Sequence, residues 1–196
     1  MTLRLDIPRA HRGAWSTIFA SRCSKFERVF VLGIDPGLSR CGYGCLGGDA
    51  ASPMVVGAGV LTTPAADPLP SRLAVLAEDL RGLLAEFRPD AVAVERVFFQ
   101  TNAHTAMSVG QASGLALAAA ARAGCEVAQY TPNEVKLAVA GYGAATKDQV
   151  QRMVQRMLGL AQAPHPPDVA DALALALCHL AVAPRLARIA AAEGGR

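Results

Sequence analysis

Two short apolar runs in this chain each stop at a carboxylate. Val29-Phe30-Val31-Leu32-Gly33-Ile34 ends in Asp35, and Ala91-Val92-Ala93-Val94 ends in Glu95. Runs of this length, bounded by turn residues, read as buried strands. A further pair of acids, Asp168 and Asp171, opens the apolar stretch 172–177. A lone carboxylate at the edge of a core is unfavourable by several kcal/mol, so acids placed there usually have a cation to hold. Gathered together, the four would form an all-oxygen site suited to Mg²⁺ or Mn²⁺. Two such ions about 4 Å apart drive phosphodiester hydrolysis.

The fold expected around them follows from periodicity. Residues 28–34 read as a first strand, and 41–46 and 54–62 as two more in an antiparallel meander through Gly47-Gly48-Asp49. A proline-rich loop, 63–70, leads to Leu73, Leu76, Leu80, Leu83, Leu84 and Phe87 at helical spacing, stopped by Pro89. Residues 91–95 form a fourth strand, 102–124 a long helix of small residues and 126–130 a fifth strand. Thr131-Pro132-Asn133-Glu134 and Thr146-Lys147-Asp148-Gln149 are helix starts of the capping-box type. A last apolar helix spans 168–182. This order predicts an α/β fold, a mixed five-stranded sheet with helices on both faces. Asp35 and Glu95 then meet only if the first and fourth strands are parallel neighbours, which a right-handed crossover permits. Asp168 and Asp171, three apart, share one helix face.

Charge is uneven. Arg4, Arg9, Arg12, Arg22, Lys25 and Arg28 face only Asp6 and Glu27 in residues 1–28, so the remainder of the chain is near balance despite a formal net charge of +3. Bulk attraction to a polyanion is therefore weak, and any nucleic-acid contact needs basic residues grouped on one face. Residues 1–28 are expected to be a flexible basic leader, 29–183 a single domain, and 184–196 a frayed C-terminal tail. Five cysteines without a CxxC pair fit buried thiols in a reducing, cytoplasmic setting. His104, Ser108, Gln111 and Ser113 interrupt the apolar stretch 103–121, so no membrane span is expected there.

Each acid has an ordinary alternative. Asp35 in Asp-Pro-Gly can be a turn former, Glu95 can pair with Arg96, and Asp168 and Asp171 can serve the helix dipole as first-turn acids. Their joint occurrence beside apolar strands favours the metal site.

The motifs Gly33-Ile34-Asp35-Pro36-Gly37, Gly42-Tyr43-Gly44, Val94-Glu95-Arg96-Val97-Phe98, Asn102-Ala103, Gly110-Gln111-Ala112 and Asp168-Val169-Ala170-Asp171-Ala172 resemble the RuvC family of Holliday-junction resolvases. The likeness spans about residues 29–183. It implies a ribonuclease H-like fold and a homodimer that cuts two symmetric strands of a four-way DNA junction with Mg²⁺, or Mn²⁺, two ions per site. A branch-migration motor would be a further partner. Asp35, Glu95, Asp168 and Asp171 match the family's acids, Phe98 its base-contacting phenylalanine, and Lys136 and Lys147 its basic residues near the scissile phosphate. Phe98 and Phe99 could instead cap the core beneath their loop, and the two lysines could be solvated surface charges. Arg40, Arg72 and Arg96 are weaker candidates for phosphate contacts. Gly110, Ala112, Gly114 and Ala118 make the 102–124 helix a candidate dimer interface, with core packing as its rival. Two other readings stand beside this one. An actin-like ATP-binding protein shares the Gly-x-Asp-x-Gly turn but needs a second domain, and a non-catalytic junction-binding dimer would not need the acids.

Overall fold

The computed structural model describes residues 3–4, 29–97 and 103–193. Five strands carry the sheet: β2 (Val29–Asp35), β3 (Arg40–Gly48), β4 (Met54–Thr62), β5 (Ala91–Glu95) and β6 (Glu126–Tyr130). A two-residue segment, β1 (Leu3–Arg4), adds a short antiparallel edge to β4 at Gly59 and Val60. Part of the expected leader thus joins the sheet, and its other residues lie outside those described. The strand order is β1-β4-β3-β2-β5-β6, with β2 antiparallel to β3 and parallel to β5.

The helices are α1 (Leu69–Phe87), α2 (Ala103–Arg122), α3 (Pro132–Ala140), α4 (Lys147–Met157) and α5 (Pro167–Glu193). α1 carries the chain from β4 back to β5, and α2 from β5 to β6, so β2, β5 and β6 run parallel. Alternation along the strands divides the core. Leu32, Ile34, Val92 and Val94 face Leu76, Leu80, Leu83 and Ala116 of α1 and α2. Val31, Ala91 and Ala93 face Val135, Val150, Val154 and Leu173 of α3, α4 and α5.

Both capping boxes form: Thr131 Oγ1 accepts from the Glu134 amide at 3.2 Å and Thr146 Oγ1 from the Gln149 amide at 3.3 Å. Two boundaries differ from expectation. α1 begins at Leu69, inside the expected proline-rich loop, because Pro70 sits in the first turn, where its missing N–H costs nothing. α5 continues through Pro184 to Glu193 in place of a frayed tail. One proline removes one helical hydrogen bond, and the flanking Ala, Leu and Arg residues are strong helix formers. The window Pro167–Pro184 of α5 is apolar and long enough to cross a membrane, yet 61% of it is buried inside the molecule, as befits a core helix.

Candidate active site

The parallel register of β2 and β5 sets Ile34 beside Val94. Asp35 and Glu95, one step further, therefore leave the sheet together on the α5 side, opposite to Ile34 and Val94. On the other flank of β2, Asp35 pairs with Gly42 of β3. A Cβ at Gly42 would collide with the backbone carbonyl of Asp168, and one at Gly33 with the carbonyl of Ala172. At Gly44 it would lie 2.6 Å from Leu173 Cδ2. Three glycines on one sheet face thus let the first turns of α5 lie against the strands, which carries Asp168 and Asp171 to the ends of β2 and β5. In the sequence Gly42 and Gly44 stand out only within the family motifs, and Gly33 also within the first apolar run. Alternate glycines on one face of a strand were the available signal of close backbone approach.

Electrostatics register the crowding. Burial, then the charges of Glu95, Asp171 and Asp168, push the Asp35 carboxyl up to about 7, against the opposing pull of Lys147. Burial and Asp171 raise Glu95 likewise. Asp168 is held below the usual carboxylate range by Arg40, whose guanidinium reaches it with Nη2 at 2.8 Å from Oδ2 and Nε at 3.3 Å from Oδ1. Lys147 Nζ lies 3.1 Å from Asp171 Oδ2, and that neighbour raises the ammonium pKa.

The predicted residues therefore sort clearly. Asp35, Glu95, Asp168, Asp171 and Lys147 come together. Lys136 is half-buried on α3, and the lysine that acts on Asp35 and Glu95 is Lys147. Phe98 and Phe99 lie outside the described residues. Arg40, expected at most to touch phosphate, forks an active-site acid. Arg72 is committed to Ser39 Oγ at 2.6 Å and Thr63 Oγ1 at 3.0 Å, bracing the turn after β2. Arg96 does not take up Glu95; its guanidinium reaches the Gln129 carbonyl at 3.5 Å.

With Arg40 and Lys147 in place, no three His, Cys, Asp or Glu side chains among the described residues gather as a closed ligand set. The four carboxylates surround a common space without converging on one point. Their donors nevertheless fit a hard divalent cation, being oxygens only. The like charges that hold the proton on Asp35 are those a cation would relieve.

The family model described as crossover junction endodeoxyribonuclease RuvC matches residues 31–179. The crossover junction endodeoxyribonuclease RuvC of Parafrankia sp. is 52% identical over 167 residues, 85% of this chain and 94% of that protein. The structure of Thermus thermophilus RuvC in complex with Holliday junction substrate superposes with a TM-score of 0.76 at 40% identity, covering 80% of this chain and 96% of that one. The yeast mitochondrial Holliday junction resolvase, with a TM-score of 0.60 and 17% identity over 81% of this chain and 80% of that one, shares the fold. Four acids brought to the strand ends of a ribonuclease H-like sheet, and a family match over nearly the whole described domain, place the chain in the RuvC family of crossover junction endodeoxyribonucleases.

Proposed function

We propose that this chain resolves four-way DNA junctions by Mg²⁺-dependent hydrolysis, with Mn²⁺ as a substitute, acting as a homodimer that cuts two opposed strands. The observation that carries this reading is that Asp35, Glu95, Asp168 and Asp171, from two parallel strand ends and a helix start, stand close enough for the other three charges to act on Asp35. When bound, two divalent ions would supply a Lewis acid that activates the attacking water and offsets charge on the leaving 3′ oxygen.

The chain's own residues set the conditions for that chemistry. Asp35, flanked by the other three, would hold the ions together with them, and it would have to lose its proton to do so. Lys147 assists by lowering its pKa. The Lys147 side chain is 79% exposed, free to turn its ammonium from Asp171 to a phosphate of the bound strand. Phe98, three residues beyond Glu95, supplies a face on which a base of the opened junction stacks, a contact worth about 1–3 kcal/mol. Lys136 adds a backbone contact.

Purified protein and a synthetic four-way junction test the reading. With Mg²⁺ or Mn²⁺, paired nicks are expected at symmetric positions in opposed strands, and chelation abolishes them. Intact junctions together with ATP hydrolysis in the absence of DNA would return the actin-like alternative.

Two-fold junction symmetry calls for a two-fold dimer. Gly110, Gly114 and Ala118 of α2 are exposed and Met107 is 63% exposed, so this face is available to a second copy. Ala112, expected on the same face, points into the core at 1% exposure. Light scattering at micromolar concentration is expected to give the mass of two chains. Gly114→Gln, at a position where an added Cβ meets nothing within 4 Å, should then give a folded monomer. A wild-type monomer would discard the dimer.

A further inference from the structure

We propose that Arg40 is a resident counter-cation of the active site, seated on Asp168, which a divalent metal ion must displace before the four acids can act as one ligand set. The inference rests on the metal-dependent reading above and adds a residue that tunes metal entry.

Three observations carry it. First, the contact uses both carboxylate oxygens: Nε lies 3.3 Å from Oδ1 and 3.2 Å from Oδ2, and Nη2 lies 2.8 Å from Oδ2. Two guanidinium nitrogens thus cover the carboxylate, Oδ2 more closely than Oδ1, and leave fewer lone-pair directions for another cation. Lys147, by comparison, engages only Oδ2 of Asp171. Second, the fork coincides with a cluster that has no closed ligand set among the described residues. Asp168 is one of four candidate donors, and its two oxygens are already occupied.

Third, the backbone under Arg40 is tied down on both sides while its side chain stands half-exposed. Arg72 holds Ser39 Oγ at 2.6 Å, Thr63 Oγ1 donates to the Leu38 carbonyl at 2.5 Å, and the Thr63 amide reaches the Ser39 carbonyl at 3.3 Å. The turn between β2 and β3 is thereby tied to the end of β4 and the start of α1. The Arg40 side chain beyond that anchor is 49% exposed, against 23% for Asp168. Exchange therefore needs only rotation of a half-exposed side chain, and the fork is weak enough to yield, because ion pairs open to water contribute little. The arginine keeps Asp168 in register when no metal is bound and lowers metal affinity by competing for the same oxygens.

The test is Mn²⁺ binding to the full chain without DNA, read by electron paramagnetic resonance of the free ion. Arg40→Ala is expected to bind Mn²⁺ about fivefold more tightly than wild type. Arg40→Lys, which keeps the charge and loses the fork, should fall between the two. Arg81→Ala removes one positive charge from the exposed surface of α1 and should leave the affinity at the wild-type value. Unchanged or weaker binding in Arg40→Ala would overturn the proposal, as would an equal gain in Arg81→Ala, which would mark bulk charge as the cause. If wild type and all variants, folded by circular dichroism, fail to bind Mn²⁺ saturably, the metal-site reading falls and takes the proposal with it.

Discussion

Asp35→Asn is expected to abolish junction cutting, leave junction binding in place, and make the metal-free protein more stable at pH 8. The first effect follows from charge. Asparagine keeps the shape of the side chain but gives up the negative oxygen that would bridge the ions, and a metal supplies several kcal/mol of transition-state stabilisation. A loss of about a thousandfold or more in cleavage rate follows. Binding is retained because most of the affinity for a junction comes from phosphate contacts spread over the surface.

The stability effect has a definite sign. The folded protein holds the Asp35 proton to about 7, whereas the free carboxyl releases it near 3.8. Between those values the native state binds more protons than the unfolded chain, so stability falls as pH rises through the window from about 4 to about 7. The charged form is the strained one, at a cost of about 2–4 kcal/mol for a partly exposed group. Asparagine removes that cost, so the variant's unfolding free energy in chelator should change less between pH 5 and pH 8 than that of wild type. Glu95, raised for similar reasons, leaves some slope in the variant, whereas Asp168, held down by Arg40, changes protonation below this window and adds none. Normal cutting by Asp35→Asn would refute the assignment of Asp35 as the central ligand. An unaltered pH slope would show that the carboxylates are not crowded in solution.

Much of this arrangement was legible from residues because the determining signals are local. A continuously buried strand that ends in an acid declares where the acid goes once its neighbour is known. The parallel pairing of β2 and β5 stood in the sequence only as a condition that a right-handed crossover permits, and the structure meets it. The caps at Thr131 and Thr146 needed only four consecutive residues each.

What escaped depends on contacts between distant parts of the chain. Arg40 and Asp168 are 128 positions apart, and nothing near Arg40 in the sequence distinguishes it from Arg72 or Arg96. Their separate fates are decided by which way β3 leaves the turn and how closely α5 approaches. Ala112 looked like an interface residue beside Gly110 and Gly114 because all are small. The phase of α2 against the sheet, which no spacing of small residues fixes, turned it inward. The helical start at Leu69 and the passage of α5 through Pro184 show proline read too strictly as a break.

Gly42→Ala should be a severely damaging change for a single methyl group. Gly42 lies opposite Asp35 in the β2–β3 register, and its missing side chain is where the Asp168 carbonyl rests. The obstacle is backbone at the start of a helix packed on the sheet, so no rotamer change makes room. α5 must shift or the strand must bend, and overpacking of this kind costs about 3 kcal/mol. For a chain of this size that is a fall of about 6–12 °C in the melting temperature. Cleavage should fall further than stability alone explains, because the displaced residue is itself an active-site acid. Two companions separate the causes. Gly44→Ala meets mainly the side chain of Leu173, which has some freedom to give way, and should cost less. Gly82→Ala, in an open stretch of α1 with nothing within 4 Å of the added carbon, should be neutral or stabilise by about 0.4–1 kcal/mol. Calorimetry of the three variants with cleavage rates at a temperature where all are folded gives the ranking. If Gly42→Ala melts and cuts like Gly82→Ala, then α5 does not rest on the glycine track, and the acids are held near the strand ends by something else.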